Sequence, residues 1–196
     1  PFNGYNEDSN KIIPLSEVKL DTNYAMVITT NAGLWRYKIG DTIRFTSLSP
    51  YRIQVTGRTK HFINVFGEEL IIDNAEKALE KVCSQTKSNV FNYTAGPIFM
   101  EKNKQGAHEW IIEFDREPED LSLFCRLFDK ALQNENSDYE AKRYNNMTLK
   151  PLKLHKARKG LFYKWLAKKG KLGGQHKVPR LSNSREILDE LLKMNY

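Results

Sequence analysis

VFNYTAGPIFMEKNKQGAHEWIIEFD, residues 90–115, is the stretch whose reading decides the fold. Two apolar, strand-like runs (90–100 and 108–115) flank the polar turn EKNKQG at 101–106, the pattern of an antiparallel hairpin. In the second run Trp110, Ile112 and Phe114 alternate with Glu109, Glu113 and Asp115, giving one apolar and one acidic face. Upstream, IDNAEKALEKVC (72–83) carries apolar residues at 72, 75, 79 and 82 with Asp73 near its start, which predicts a helix. Downstream, LSLFCRLFDKALQNEN (121–136) predicts a second amphipathic helix, and DYEAKRY (138–144) continues it as a further turn.

Working outward, HFINVFG (61–67) reads as a short strand broken by Gly67-Glu68-Glu69, and MTLKPLKLH (147–155) as a strand in which Pro151 marks an edge or bulge. ARKGLFYKWLAKKG (157–170) reads as a basic helix with Leu161, Trp165 and Leu166 on its apolar side. SREILDELLKMN (184–195) reads as a last helix, capped by Ser182 or Asn183 with Glu186 behind it. From residue 59 the order is β-α-β-β-α-β-α-α, a ferredoxin-like split βαβ with extra helices.

Ahead of it, YAMVITT (24–30), LWRYKIG (34–40), TIRFTSL (42–48) and YRIQVTG (51–57) alternate as short strands, with turns at Asn31-Ala32-Gly33 and Ser49-Pro50. The fold class expected is therefore α+β: a small antiparallel β meander, then a ferredoxin-like α/β sandwich with extra helices. The expected units are 1–58 and 59–196, separated by a change of architecture that suggests a hinge more than a tether.

Composition bounds the function. An apolar fraction of 40% supports a real core, and with a mean hydropathy of −0.61 no run approaches the roughly 20 apolar residues needed to span a bilayer. PFNGYNEDSN lacks the basic-then-apolar order of a signal peptide. Cys83 and Cys125 sit in apolar helical patterns, as buried thiols of a reducing cytoplasm would. The four histidines (61, 108, 155, 176) are too scattered for a zinc site. Net charge is +7, and residues 142–180 hold thirteen Lys and Arg without one Asp or Glu. Such a segment expects a phosphate-bearing partner, or is simply a solvated face.

Taken singly, Asp41 in YKIGD reads as a turn former, Arg58 in TGR as a surface ion pair, and Lys60 as unremarkable. Taken together, an aromatic-Arg strand ending in Gly-Asp, a Gly-Arg seventeen residues on, and a following Lys-x-x-Ile-x-x-x-Gly-Glu resemble the acyl-adenylate-forming superfamily. GLWRYKIGD, GRTKHFINVFGEELIIDNAEKAL, NSDYEAKRY and GGQHKVPRLSN more closely resemble the auxin-responsive acyl acid–amido synthetases (the Gretchen Hagen family), especially microbial members, from about residue 24 to the end.

That resemblance implies an ATP-dependent ligase that adenylates a small carboxylic acid and lets an amino acid displace AMP. It assigns Asp41 to the ribose hydroxyls of ATP and AMP, Arg58 to the same ribose, Lys60 to the pivot of a mobile C-terminal cap, and Lys177 to the adenylation step. On a mobile, glycine-rich stretch, Lys177 would enter the active site only for that half-reaction. Placing GGQHK some twenty residues ahead of the usual superfamily lysine fits the amido-synthetase branch and argues against a CoA ligase. Mg2+ is expected with ATP, with no ligand for it visible.

No Ser/Thr/Gly-rich phosphate loop or acyl pocket is present in the sequence. Both are therefore expected in a missing N-terminal domain before residue 1, residues 1–58 being the remnant β subdomain of the large domain, and the chain alone is expected to be inactive. A second reading is a basic ferredoxin-like nucleic-acid-binding module, which needs exposed aromatics on its central strands; the acidic face of HEWIIEFD counts against it. A third is a non-catalytic binding domain derived from the enzyme.

Overall fold

The structure, a computed structural model, describes residues 12–59, 61–101, 105–146, 148–173 and 176–196. Strand-forming alternation sets up the first unit. β1 (Asn23–Ile28), β2 (Tyr37–Leu48) and β3 (Tyr51–Arg58) form an antiparallel sheet in that order. The two strands expected at 34–40 and 42–48 merge into a single one. β2 begins only at Tyr37 and runs through Gly40, whose φ of +87° is open to glycine without strain. The β1–β2 register slips between Ala25 and Val27, opposite Gly40, so the glycine sits in a bulge and not at a strand end. Tyr24, Ile43 and Phe45 form a small core with Ile13, Val18 and Met26 against it. Across the sheet the Thr56 hydroxyl bonds Asn23 Oδ1 at 2.6 Å and Thr42 Oγ1 at 3.0 Å, so polar groups buried between strands satisfy one another.

The second unit is layered. β6 (Asn89–Ile98), β7 (Ala107–Arg116) and β8 (Lys153–Lys156) form a sheet in that order, β6–β7 antiparallel and β7–β8 parallel. One face packs α1 (Ile72–Thr86), α2 (Leu121–Glu135) and α3 (Ser137–Arg143). The other packs α4 (Leu161–Lys168) and α5 (Glu186–Asn195). The strand expected from HFINVFG does not join this sheet. It is β4 (Phe62–Ile63), paired only with β5 (Leu70–Ile71), and β8 takes the place beside β7. β8 is shorter than the expected 147–155: Leu149 makes a lone bridge to Gly106, Pro151 interrupts pairing, and Met147 lies outside the described residues.

The cores follow the period-two logic of β7. Trp110, Ile112 and Phe114 point into the α1–α3 side with Phe124, Phe128 and Leu132, and Trp110 meets Phe128 edge-to-face at 4.8 Å. Ile111 points to the opposite side with Leu161, Phe162, Trp165 and Leu191. Each fully buried large side chain contributes about 1.5–3 kcal/mol. Cys83 and Cys125 are free and half-buried against the first core, less enclosed than their helical patterns predict.

Caps fix the helix ends. The Asp120 carboxylate accepts from Leu123 N at 2.9 Å to start α2, and Asn136 Oδ1 accepts from Tyr139 N at 2.7 Å to start α3. α5 is not capped by Ser182 or Asn183. Its first turn follows Arg185, because Asn183 Oδ1 is spent on Asn64 N and Ser182 Oγ on Ser184 N. Among the described residues no helix is long and apolar enough to cross a membrane.

Candidate functional site

β2 and β3 run antiparallel with Asp41 directly opposite Arg58, the last register pair of their ladder. Arg58 Nε donates to Asp41 Oδ1 at 3.0 Å. Gly40 O extends the pairing by accepting from Thr59 N at 2.9 Å and from the Thr59 hydroxyl at 3.4 Å. The Asp41 side chain is 23% exposed and that of Arg58 59%, so the pair is open to solvent. Asp41 Oδ2 has no hydrogen-bond partner among the described residues. A carboxylate with one oxygen unpartnered among the described residues, beside a guanidinium, suits a vicinal diol, since it can accept hydrogen bonds from two hydroxyls. Lys60, expected as the pivot, lies outside the described residues. Its neighbour His61 donates its backbone N–H to Arg58 O at 3.1 Å, and burial, then the Arg58 charge, lowers its imidazole pKa.

Lys177 is exposed and has no ion-pair partner among the described residues. The stretch around it divides sharply. Gly173, on the upstream side, has φ +89°, and Gly174 and Gln175 lie outside the described residues. On the downstream side every residue is fastened. Val178 is buried in the second core. Pro179 O accepts from the Thr94 hydroxyl at 2.6 Å, and Arg180 O from Ala95 N at 2.9 Å. Leu181 is fully buried and pairs in parallel with Ala95, and Ser182 N returns a bond to Ala95 O at 3.1 Å. Lys177 is therefore the exposed side chain that immediately precedes a segment docked on β6.

Of the acidic face of β7, Glu109 and Glu113 are buried and only Asp115, near the strand's end, is exposed. Glu109 is buried and gathers three nitrogen groups: Lys153 Nζ at 2.8 Å and His155 Nε2 at 2.7 Å on Oε1, and Arg185 Nη2 at 2.7 Å on Oε2. Burial pushes its carboxyl up, but bonds from Lys153, His155 and Arg185 and the Arg185 charge outweigh this and hold it at about 2. Glu113 Oε1 accepts from Gly160 N at 2.6 Å, placing a carboxylate at the positive end of α4. Glu68 and His108, both fully buried, meet at 2.8 Å, and His108 stacks on Tyr139 at 5.0 Å. None of these pairs is legible from neighbouring residues. The one signal is an acid or histidine inside an apolar strand, which burial requires to be partnered.

One other chemistry, nucleic-acid binding on the sheet, loses its footing. The aromatics that an RNA platform displays are inside the protein here, Trp110 at 0% and Phe114 at 8% exposure, and both faces of the sheet are covered. Among the described residues no group of three or more His, Cys, Asp and Glu could hold a metal ion.

With this geometry in hand, comparison with known proteins is specific. The GH3 family central domain model matches residues 1–58, and the GH3 family C-terminal domain model matches residues 73–186. The indole-3-acetic acid-amido synthetase GH3.10 of Arabidopsis thaliana is 30% identical over 196 residues, 93% of this chain and 32% of its own length. The jasmonoyl–L-amino acid synthetase GH3.5 of Oryza sativa subsp. japonica is 29% identical over 205 residues, 94% of this chain and 33% of its own. The 4-substituted benzoates-glutamate ligase GH3.12 of Arabidopsis thaliana is 25% identical, covering 94% and 35%. A solved GH3.15 acyl acid amido synthetase superposes with a TM-score of 0.71 at 21% identity, over 93% of this chain and 34% of that one, which shows a common fold. The chain spans about a third of the length of the curated relatives it matches.

Proposed function

The chain belongs to the GH3 family, and from that membership we propose that it is the C-terminal part of an ATP-dependent acyl acid–amido synthetase. In this reading residues 1–58 complete the large adenylate-forming domain, and residues 59–196 are a cap that swings about Lys60. The acid's carboxylate oxygen attacks the α-phosphorus of ATP, a P–O bond forms, and pyrophosphate leaves. The amino acid's amine then attacks the acyl carbon and AMP leaves. Mg2+ accompanies ATP and neutralises phosphate charge when bound; its ligands belong outside the described residues. The two free thiols fit work in the cytoplasm.

Each residue has a task. Asp41 accepts hydrogen bonds from the two ribose hydroxyls, and Arg58 orients that carboxylate and adds a donor at the same sugar. Lys177 brings an ammonium to the phosphoryl and bridging oxygens as negative charge grows on them. One such contact contributes about 3–4 kcal/mol to the transition state. Rotation of the cap then withdraws Lys177 and admits the amine. The observation that carries the reading is that the Asp41–Arg58 ion pair lies at the downstream edge of the match to the family's central domain, residues 1–58, with the match to its C-terminal domain following from residue 73.

The test is Lys177→Ala in the full-length polypeptide, with the two half-reactions measured apart. Acyl-adenylate formation, followed by pyrophosphate exchange, should fall by about 10²–10³. Amide formation from preformed adenylate should persist. Equal loss of both half-reactions, or loss of neither, overturns the assignment.

A further inference from the structure

The docked segment 178–182 needs an explanation that the chemistry of Lys177 alone does not supply. A lysine that only had to reach a phosphate could sit anywhere on a flexible loop. Here the backbone beyond it is bonded to β6 at three places: Thr94 Oγ1 to Pro179 O, Ala95 N to Arg180 O, and Ser182 N to Ala95 O. The side chain of Arg180 adds a fourth. Its guanidinium carbon lies 4.8 Å over the Tyr93 ring and pairs with Glu76 Oε1, and the Tyr93 hydroxyl donates to that same oxygen at 2.9 Å. Tyr93 is itself buried at 1% exposure in the first core, so it offers Arg180 a rigid face. Glu76 stands in the first half of α1, a helix that begins immediately after β5.

Resting on the function proposed above, we propose that Arg180, clamped between Tyr93 and Glu76, is a positioning residue that fixes Lys177 for adenylation. The clamp ties the lysine to β6 and α1 together. Lys177 is thereby delivered by movement of the whole layered unit and not by a swing of its own loop. Arg180 itself touches no reacting atom in this scheme. Its task is to remove the freedom that an unfastened loop would leave to the ammonium, and a misplacement of about 1 Å at a reacting centre can cost on the order of 10²-fold.

The experiment has two independent readouts. In the 196-residue chain, hydrogen exchange is followed at the amides of Ala95 and Ser182 for wild type, Arg180→Ala, Arg180→Lys and Glu76→Gln. Arg180→Ala and Glu76→Gln should speed exchange at those two amides by about tenfold or more, with amides in α2 unchanged, as for a local opening. Arg180→Lys, which keeps the charge but not the planar fork, should restore part of the protection. In the full-length polypeptide, Arg180→Ala should cut acyl-adenylate formation by roughly 10- to 100-fold and leave amide formation from preformed adenylate within about twofold. Unchanged exchange in Arg180→Ala, exchange accelerated equally throughout the chain, or equal loss of both half-reactions overturns the clamp. If Lys177→Ala abolishes adenylation while Arg180→Ala does not, the clamp fails and the function stands. If Lys177→Ala leaves adenylation intact while Arg180→Ala frees the two amides, the functional reading fails, and with it the positioning role, leaving Arg180 as a fastening only.

Discussion

Arg143 and Asp129 meet inside the α1–α3 layer, Nη2 to Oδ2 at 2.8 Å, with side chains only 6% and 9% exposed. The Tyr139 hydroxyl donates to Asp129 Oδ1 at 2.7 Å and Leu152 N to the same atom at 3.2 Å, and Arg143 Nη1 donates to Leu149 O at 2.8 Å. One ion pair thus joins α2, α3 and the approach to β8. Removing a single partner leaves a buried charge, so Asp129→Asn should cost about 3–5 kcal/mol. By thermal unfolding that is a Tm loss of roughly 2–4 °C per kcal/mol. The joint Asp129→Leu, Arg143→Met replacement should recover only a fraction of this, because Leu149 O and Leu152 N still lose their partners. A fall under about 1 kcal/mol for Asp129→Asn would show that the pair is incidental.

Acid should loosen the other face. The Glu109 carboxyl is held at about 2, below its ordinary value near 4.3. A depressed carboxyl contributes stability that is present above the unfolded value and lost as pH falls through the folded one. Urea unfolding of wild type should therefore weaken progressively from about pH 4 towards pH 2. Glu109→Gln should be less stable at about pH 7 and show a smaller loss over that interval. Parallel curves for the two proteins would contradict the arrangement.

Gly106 has no room for a side chain. A Cβ there would lie 2.5 Å from Phe66 Cζ and 3.2 Å from Ile98 O. Gly106→Ala should destabilise by about 1–3 kcal/mol through overpacking, and adding Phe66→Leu should relieve some of it. Calorimetry on the single and double variants reads this directly; an alanine without effect would mean that the Phe66 ring moves freely.

The Asp41–Arg58 pair is exposed enough that it adds little to stability, about 0–1 kcal/mol. Its loss should be felt in nucleotide binding. Asp41→Ala in the full-length polypeptide should raise the KM for ATP by roughly 10- to 100-fold, the share of one or two charge-assisted hydrogen bonds, with Tm nearly unchanged. An unchanged KM would remove Asp41 from the ribose site.

Much of this architecture is legible in the residues themselves. The helical spacing of 72, 75, 79 and 82 marks α1, and Ala75, Leu79 and Val82 are buried as that spacing requires. The hairpin around residues 101–106 appears as β6 and β7, and Asp41 and Arg58, seventeen residues apart in the chain, lie opposite one another. What local pattern misses has a physical cause in each case. Alternation in HEWIIEFD predicts a half-exposed strand, yet 107–114 are all buried, because α4 and α5 cover the second face. Glu109 tolerates that burial only through Lys153, His155 and Arg185, partners 44 to 76 residues away that no local pattern reveals. Asn183 reads as a cap until tertiary contact assigns its oxygen to Asn64. Gly40 reads as a strand end because glycine weakens a strand interior, and the bulge that accommodates it shows only in the register with β1.

The parallel pairing of β8 with β7 sets the order in which the molecule assembles. β6 and β7 follow one another closely in the chain, whereas β8 must return from beyond α2 and α3 to reach Glu109 and Ile112. Closure entropy is recovered later for that longer excursion. α4 and α5 follow β8 in the chain and pack on Ile111 of β7, and the strand-like piece after Lys177 bonds β6 at Thr94 and Ala95. The segment that carries Lys177 and Arg180 is therefore expected to take its place late, after β6 and β7 have paired.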